Sequence, residues 1–344
     1  MNPIRINVVY QNNNMPADVL PPIRTASVQA VVTWSRRPQP ASDAVVYFNH
    51  YTYNRRQHDR IAPNALRILY MYEPVAVDPV QYTKTIWKQF DVIFTWNPYL
   101  TTSGSVFRFD AGMYYDLPYT SMYGVHQLPD GLPDPADRER AICQICGDKY
   151  SLMPEQLYSE RRRIARWFHH HGSVRMDVYG FPSAPVPNYC GPTENKAETF
   201  SRYRYALCLE NTYHLLWSKG YITEKLLDCM YALTVPVYYG ASNIEEIVPA
   251  SCFIDYRKFT TLDTLNRYLE DLTDEEYLNY ARNIRTFLQG YDAPRKHSAT
   301  RLYESVASLC RNANQVPHAN FPKDYFDHAR LAAKAAAFGA VCLS

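Results

Sequence analysis

The 344-residue chain has no apolar run approaching the roughly 18 residues that would cross a bilayer. Its first residues, MNPIRINVVYQNNN, lack the long apolar region of a signal peptide. Neither sign of charge prevails: Lys and Arg number 36, Asp and Glu 34, and the net charge is +2. That balance calls for neither nucleic acid nor an anionic membrane as partner. The eight cysteines are scattered singly, apart from Cys143 and Cys146. This CxxC has no second CxxC and no correctly spaced histidine pair to complete a zinc site. His169, His170 and His171 are consecutive. On a helix, neighbouring side chains fan apart by about 100°, so three in a row cannot chelate one ion well and mark a helix end instead. There is no internal repeat and no low-complexity tract.

What is present is an ordinary globular balance, 47% hydrophobic and 20% charged, in a chain long enough for two α/β domains. Its 30 tyrosines suit sugar stacking and equally suit cores, where aromatic rings bury large areas whatever the ligand. The first half alternates buried strands with helical or polar segments. Ile6 to Tyr10, VVYFNHY from Val45, ALRILYMYEP from Ala65 and DVIFTWN from Asp91 read as strands, with YTKTIWKQF as a short helix. A Pro-rich polar segment with some helical content is expected between the first two. Residues 98 to 140 are less regular and read as loops. In the second half, a short strand and turn end at Lys149, followed by a helix through PEQLYSERRRIARWFHHH, the strand VRMDVYG and a Pro-rich loop over residues 181 to 195. After a short helix, KAETFSRY, and the segment treated below come the strand CFIDY and three amphipathic helices. This alternation predicts α/β architecture with parallel sheets. The expected division is 1–150, 151–310, and a helical tail over 311–344.

The most informative segment runs from Tyr205 to Gly240. YALCLEN is a short buried strand ending in Glu210 and Asn211, the way an α/β sheet presents polar groups at its carboxyl edge. A loop of mixed aromatics ends at Gly220. In TEKLLDCMYAL, Leu226, Leu227, Met230 and Leu233 share one helical face, with Thr223 as N-cap and Glu224 favouring the positive helix end. VPVYYG is a second strand. A polar loop aimed at a helix N-terminus is a ready anion site.

Three pieces of this segment, LENT (Leu209 to Thr212), YITEK (Tyr221 to Lys225) and VPVYYG (Val235 to Gly240), resemble in order and spacing the C-terminal signature of the α-1,3-fucosyltransferases, glycosyltransferase family 10. Leu209 stands where that family usually has Phe, and Tyr239 where it usually has Trp. The resemblance covers roughly Arg161 to Tyr256 and thins in the first half to Glu73 and the DVIFTWN strand. It implies the GT-B fold, two Rossmann-like domains facing a cleft. It also implies an inverting enzyme that moves L-fucose from GDP-fucose to a hydroxyl of a GlcNAc- or Glc-containing oligosaccharide or glycoconjugate, with α-1,3 and α-1,4 linkage both open. Eukaryotic members usually carry an N-terminal Golgi anchor. Its absence predicts a soluble, cytoplasmic enzyme of bacterial or viral type, or a chain whose anchor has been removed.

A sugar-nucleotide transferase must stabilise a leaving pyrophosphate, with a metal on an acidic DxD motif or with cations and a helix dipole. No convincing DxD ends a strand here, so the second solution is expected, with no cofactor required and divalent metal at most a stimulant. Lys225, in a helix's first turn, is the first cation for the phosphates. Arg161, in the ERRRIAR run, matches the family's pyrophosphate arginine, and a guanidinium fork suits phosphate oxygens; Arg162 and Arg163 stand beside it. By resemblance Glu224, which is expected to point about 100° away from Lys225 around the helix, reads the fucose hydroxyls, while Asn211 and Tyr221 line the donor pocket. Glu210 is expected to orient the loop. By the same resemblance Glu73, which ends a strand, is the base that takes the acceptor's proton. Two other readings are a GT-B transferase for another nucleotide sugar, which the departures at Leu209 and Tyr239 leave open, and a non-catalytic glycan-binding protein on the same scaffold.

Overall fold

The computed structural model describes residues 2–10, 23–25, 29–101, 106–108, 127–147, 149–181, 186–291 and 299–312. The chain forms two compact units, one of Met1–Pro118, Leu152–Pro154 and Arg295–Ser344, the other of Tyr119–Ser151 and Glu155–Pro294. These limits differ from the expected boundaries at 150 and 310.

The first unit is built on strands β1 (Ile4–Val9), β2 (Ile23–Thr25), β3 (Ala30–Ser35), β4 (Ala44–Phe48), β5 (Leu66–Met71), β6 (Val92–Thr95) and β7 (Val106–Arg108), with helices α1 (Arg55–Ile61) and α2 (Lys84–Trp87). They form one sheet in the order β2-β3-β1-β4-β5-β6-β7. All pairings are parallel except β2 with β3. Leaving β1, the chain steps first to one side, to β3, and then to the other, to β4. That reversal marks the place where open α/β sheets bind ligands at their carboxyl ends. The polar segment expected between the first two strands is corrected by β3. Ala30, Val32 and Trp34 are buried while Val31 and Thr33 are half-buried, a period of two with β-branched residues that favours a strand.

The second unit uses β8 (Glu139–Gly147), α3 (Tyr158–His171), β9 (Arg175–Phe181), β10 (Tyr189–Gly191), α4 (Lys196–Ser201), β11 (Tyr203–Leu209), α5 (Glu224–Tyr231), β12 (Val235–Tyr239), β13 (Ile254–Asp255), α6 (Leu262–Asp271) and α7 (Asp274–Gly290). Its sheet order is β10-β9-β8-β11-β12-β13, parallel throughout. This is the doubly wound order, with its switch point between β8 and β11. The expected loop over 181–195 therefore holds an edge strand, and β8 is a full central strand rather than a short one. Both sides of that strand are paired, which its apolar run AIC allows. Cys143 is buried on it and Cys146 half-buried. The three histidines occupy the last turn of α3.

The last described helix, α8 (Ala299–Arg311), belongs to the first unit. It packs on β1 and β3, burying Leu302, Tyr303, Val306 and Ala307, and Trp34 Nε1 donates to Tyr303 OH at 2.9 Å. The helical tail expected beyond it, and most of the loops expected over 98–140, lie outside the described residues. Among the described residues no helix is long and apolar enough to cross a membrane.

Candidate active site

The carboxyl end of β11 collects most of the predicted residues. Glu210 continues the ladder, its N–H donating to Tyr239 O at 2.8 Å. Its side chain is fully buried and receives Thr223 N–H on one oxygen and the Thr223 hydroxyl on the other, both at 2.7 Å. Glu210 thus ties the end of β11 to the N-cap of α5, the orienting role expected of it. Burial raises its pKa, opposed by Lys225 and by the two Thr223 bonds. The close of the VPVYYG strand is glycine for a steric reason: a Cβ on Gly240 would stand 2.4 Å from Glu210 Cγ and 2.6 Å from the Tyr238 hydroxyl.

Thr223 caps α5 through Lys225 N–H, so the start of this helix is held from within and from β11. Lys225 Nζ donates to Thr223 Oγ1 at 3.0 Å and lies 3.6 Å from both Glu210 Oε2 and Glu224 Oε1. The expectation that Glu224 points away from Lys225 is corrected. The backbone directions diverge, but the long lysine stem folds back over the helix start to reach both carboxylates. One turn further on, Asp228 accepts from Lys196 Nζ at 2.7 Å and is 1% exposed, its Oδ1 without a partner among the described residues. Burial raises Asp228 to about 6 against the pull of Lys196, with Glu224 raising it further. Glu224 is lowered to about 2: burial opposes ionisation, and Lys225, Lys196 and its own backbone N–H outweigh it. Three carboxylates and two lysines therefore alternate along the opening of α5. Lys196 and Asp228 were missed from sequence. The readable signal was an aspartate in the midst of LLDCMY, on a helix with no exposed position after its first turn.

Arg161 comes from α3, whose start is pinned to the segment after β11. Leu157 N–H donates to Asn211 O, Tyr213 N–H to Glu155 O, and Gln156 and Thr212 form an antiparallel bridge. Arg161 is 2% exposed. Its Nη2 donates to Leu209 O at 2.6 Å and to Asn211 Oδ1 at 3.1 Å, and its Cζ stands 5.1 Å from the Tyr158 ring centroid. Nε and Nη1 are buried with no partner among the described residues. A buried cation with two open donors is costly unless an acceptor arrives. Asn211 passes the chain on, Nδ2 donating to the hydroxyl of fully buried Tyr221 at 3.1 Å. Arg161, Asn211 and Tyr221 are thus one hydrogen-bonded group, adjoining the Glu210–Lys225–Glu224 group through the Glu210–Asn211 peptide. Arg162 and Arg163 are engaged elsewhere, with Lys149 O and with Glu160 and Tyr256. Beside Tyr239 lies an aromatic tier, its ring centroid 4.5 Å from Tyr213 and 5.4 Å from Tyr256.

Glu73 lies in the first unit, two residues past the end of β5 rather than within it. Its N–H donates to Asn49 Oδ1 at 2.7 Å, and its carbonyl accepts from Gln81 Nε2 at 2.6 Å and Tyr82 OH at 2.8 Å. Among the described residues, no group of three or more His, Cys, Asp or Glu is placed to hold a metal ion.

Comparison with known proteins bears on this arrangement. The family model "Glycosyltransferase family 10 (fucosyltransferase) C-term" matches residues 149–328. The 4-galactosyl-N-acetylglucosaminide 3-alpha-L-fucosyltransferase FUT5 of Gorilla gorilla gorilla is 38% identical over 114 residues, 32% of this chain and 28% of that one. An alpha-(1,4)-fucosyltransferase of Arabidopsis thaliana is 37% identical over 118 residues, 34% of this chain and 27% of that one. The matched part spans under a third of the length of these relatives. A crystal structure of an alpha1,3-fucosyltransferase with GDP matches the fold with TM-score 0.57 at 18% identity, covering 93% of both chains. An alpha-glucosyltransferase with UDP and DNA matches with TM-score 0.53 at 10% identity, covering 90% of this chain and 99% of that one. The fold is GT-B, and with more than half of its length matched by the family model, the chain belongs to glycosyltransferase family 10, the fucosyltransferases.

Proposed function

We propose that the protein transfers L-fucose from GDP-fucose, with inversion, to a hydroxyl of a GlcNAc- or Glc-containing glycan. The observation that carries this reading is Arg161: a buried guanidinium with two donor nitrogens, Nε and Nη1, that have no partner among the described residues, at the carboxyl end of the strand beside the sheet's switch point, in a chain of the fucosyltransferase family. Phosphate oxygens suit that fork. Lys225, in the first turn of α5, adds a second charge where the helix dipole also favours an anion. Asn211 and Tyr221 orient the arginine from behind. Glu224, held ionised by two lysines, is suited to accept hydrogen bonds from sugar hydroxyls.

In the proposed step Glu73 takes the proton of the acceptor hydroxyl. The oxygen forms a bond to the anomeric carbon of fucose from the face opposite the phosphate. The bond from that carbon to the phosphate oxygen breaks, and its electron pair leaves with GDP, whose charge Arg161 and Lys225 offset. A single displacement converts the β-linked donor into an α-fucoside. A base in that position contributes about 10²- to 10⁴-fold. No protein-bound metal is needed in this scheme, and activity that persists in EDTA is the expected result.

The test is Glu73→Gln. Transfer is expected to fall by that factor while GDP affinity stays at the parent value; parent turnover in the variant would remove the base assignment. Leu209 and Tyr239, off the family's usual Phe and Trp, motivate a competition assay with GDP-mannose and UDP-sugars. Preference for one of those would replace GDP-fucose as donor. Linkage analysis of the product separates α-1,3 from α-1,4 transfer. Glycan binding without donor consumption would mark a retired scaffold.

A further inference from the structure

Asn49 stands where its own backbone argues against it. It follows β4 directly, at the carboxyl edge beside the first sheet's switch point, with φ 66° and ψ 157°. That region of backbone space is essentially reserved for glycine. A non-glycine residue persists there when its side chain is needed. The Asn49 side chain is 1% exposed. Its Oδ1 accepts two consecutive backbone donors across the sheet, Tyr72 N–H at 2.9 Å and Glu73 N–H at 2.7 Å, and its Nδ2 donates to Tyr51 OH at 2.9 Å. Asn49 N–H itself donates to Tyr70 O at 2.9 Å, so the residue is locked to β5 before its side chain reaches over the strand's end.

The other side of the Glu73 peptide is held as firmly. Gln81 and Tyr82, both fully buried, donate to Glu73 O, and Gln81 is in turn capped at its N–H by Asp78 Oδ1 at 3.3 Å. The backbone of one residue just past the ladder thus makes three hydrogen bonds with side chains of two separate elements, donating one and accepting two. The amide accepts from two N–H groups on its oxygen and donates to a tyrosine hydroxyl from its nitrogen. A carboxylate keeps the first function, and glycine keeps neither while fitting the backbone freely.

We propose that Asn49 is the positioning residue for Glu73: it sets the peptide from which the general base projects, and through Tyr51 it ties that peptide to a ring 48% exposed beside it. This rests on the reading of Glu73 as the base. A base acts only within hydrogen-bond reach of the proton it takes, and a misplacement of about 1 Å costs roughly 10²-fold in rate.

The experiment compares Asn49→Gly, Asn49→Asp and Glu73→Gln in the full chain, reading kcat, donor KM and GDP affinity. Asn49→Gly suits the φ of 66°, so the fold is kept while the clamp is removed. Its kcat is expected to fall about 10²-fold, with donor KM and GDP affinity at parent values. Asn49→Asp, which retains the two-fold acceptor, is expected to recover kcat to within about tenfold of the parent. Parent kcat in Asn49→Gly alongside an inactive Glu73→Gln would overturn the role of Asn49 and leave the base in place. A loss of GDP affinity in both Asn49 variants would make it general scaffold and also overturn the proposal. Parent turnover in Glu73→Gln would overturn the base reading, and this one with it.

Discussion

Replacing Arg161 by methionine separates a ligand-binding arginine from a structural one. In the unliganded protein the change removes two buried bonds, to Leu209 O and Asn211 Oδ1, at about 1–3 kcal/mol each. It also removes two buried donor nitrogens, Nε and Nη1, that have no partner among the described residues, and so relieves a penalty of the same order, about 1–3 kcal/mol each. The two effects nearly cancel, so the melting temperature without ligand should move little. Binding behaves differently. If the open donors meet phosphate oxygens, each charge-assisted bond is worth about 1.5–3 kcal/mol, or about 3–6 kcal/mol together. At about 1.4 kcal/mol per tenfold, GDP should bind roughly 10²- to 10⁴-fold more weakly. Calorimetric titration with GDP gives the affinity, and thermal unfolding with and without GDP gives the stability. A variant that loses stability steeply while binding GDP as the parent does would refute the reasoning, because Arg161 would then be holding the fold rather than the donor.

Lys196→Met leaves Asp228, 1% exposed, without its 2.7 Å partner, and should lower stability near neutral pH by about 3–5 kcal/mol in urea unfolding. Burial raises Asp228 from 3.8 to about 6 even with Lys196 pulling it down, so without the lysine the folded carboxyl takes up its proton at a still higher pH; the loss should shrink as the pH falls towards 6 and level off below it, and a loss that stays constant from alkaline pH down to 6 would contradict the pairing. Glu224 is depressed from 4.5 to about 2, so the stability it contributes is present above 4.5 and decays as the pH falls through 2. The difference in melting temperature between the parent and Glu224→Gln should narrow over that window, and a gap that widens would reverse the assigned sign. Gly240→Ala would place a methyl 2.4 Å from Glu210 Cγ. It should destabilise by about 1–3 kcal/mol and weaken GDP binding through the displaced Glu210–Thr223 link; parent values of both would show that the strand end gives way freely.

The opening of α5 was legible because its parts are close in sequence. Thr223 as cap, the apolar face of KLLDCMYAL and the buried strand before it are local patterns, and local patterns of period two or 3.6 survive folding. Glu210 could be assigned an orienting role, but its bonds to Thr223 depend on a loop bringing residues 13 apart together. The partners of Arg161 lie 48 and 50 residues away, so sequence could nominate this arginine among three but not show that it alone is buried. Asn49 was silent for a further reason: its strained backbone and its bonds to β5 are products of sheet order, which sets β4 beside β5. The strand Ala30–Ser35 was hidden by the polar, Pro-rich residues on either side of it. Lys196 and Asp228 come from different helices, and only the oddity of an aspartate on a buried helix hinted at them.

The central claim is tested most directly by incubating the protein with GDP-fucose and a panel of N-acetyllactosamine, its type-1 isomer and lactose, in the presence of EDTA. The account predicts an α-fucosylated product and stoichiometric GDP from the parent, and both formed about 10²- to 10⁴-fold more slowly by Glu73→Gln. Transfer from a different nucleotide sugar in preference to GDP-fucose, or undiminished transfer by Glu73→Gln, would contradict it.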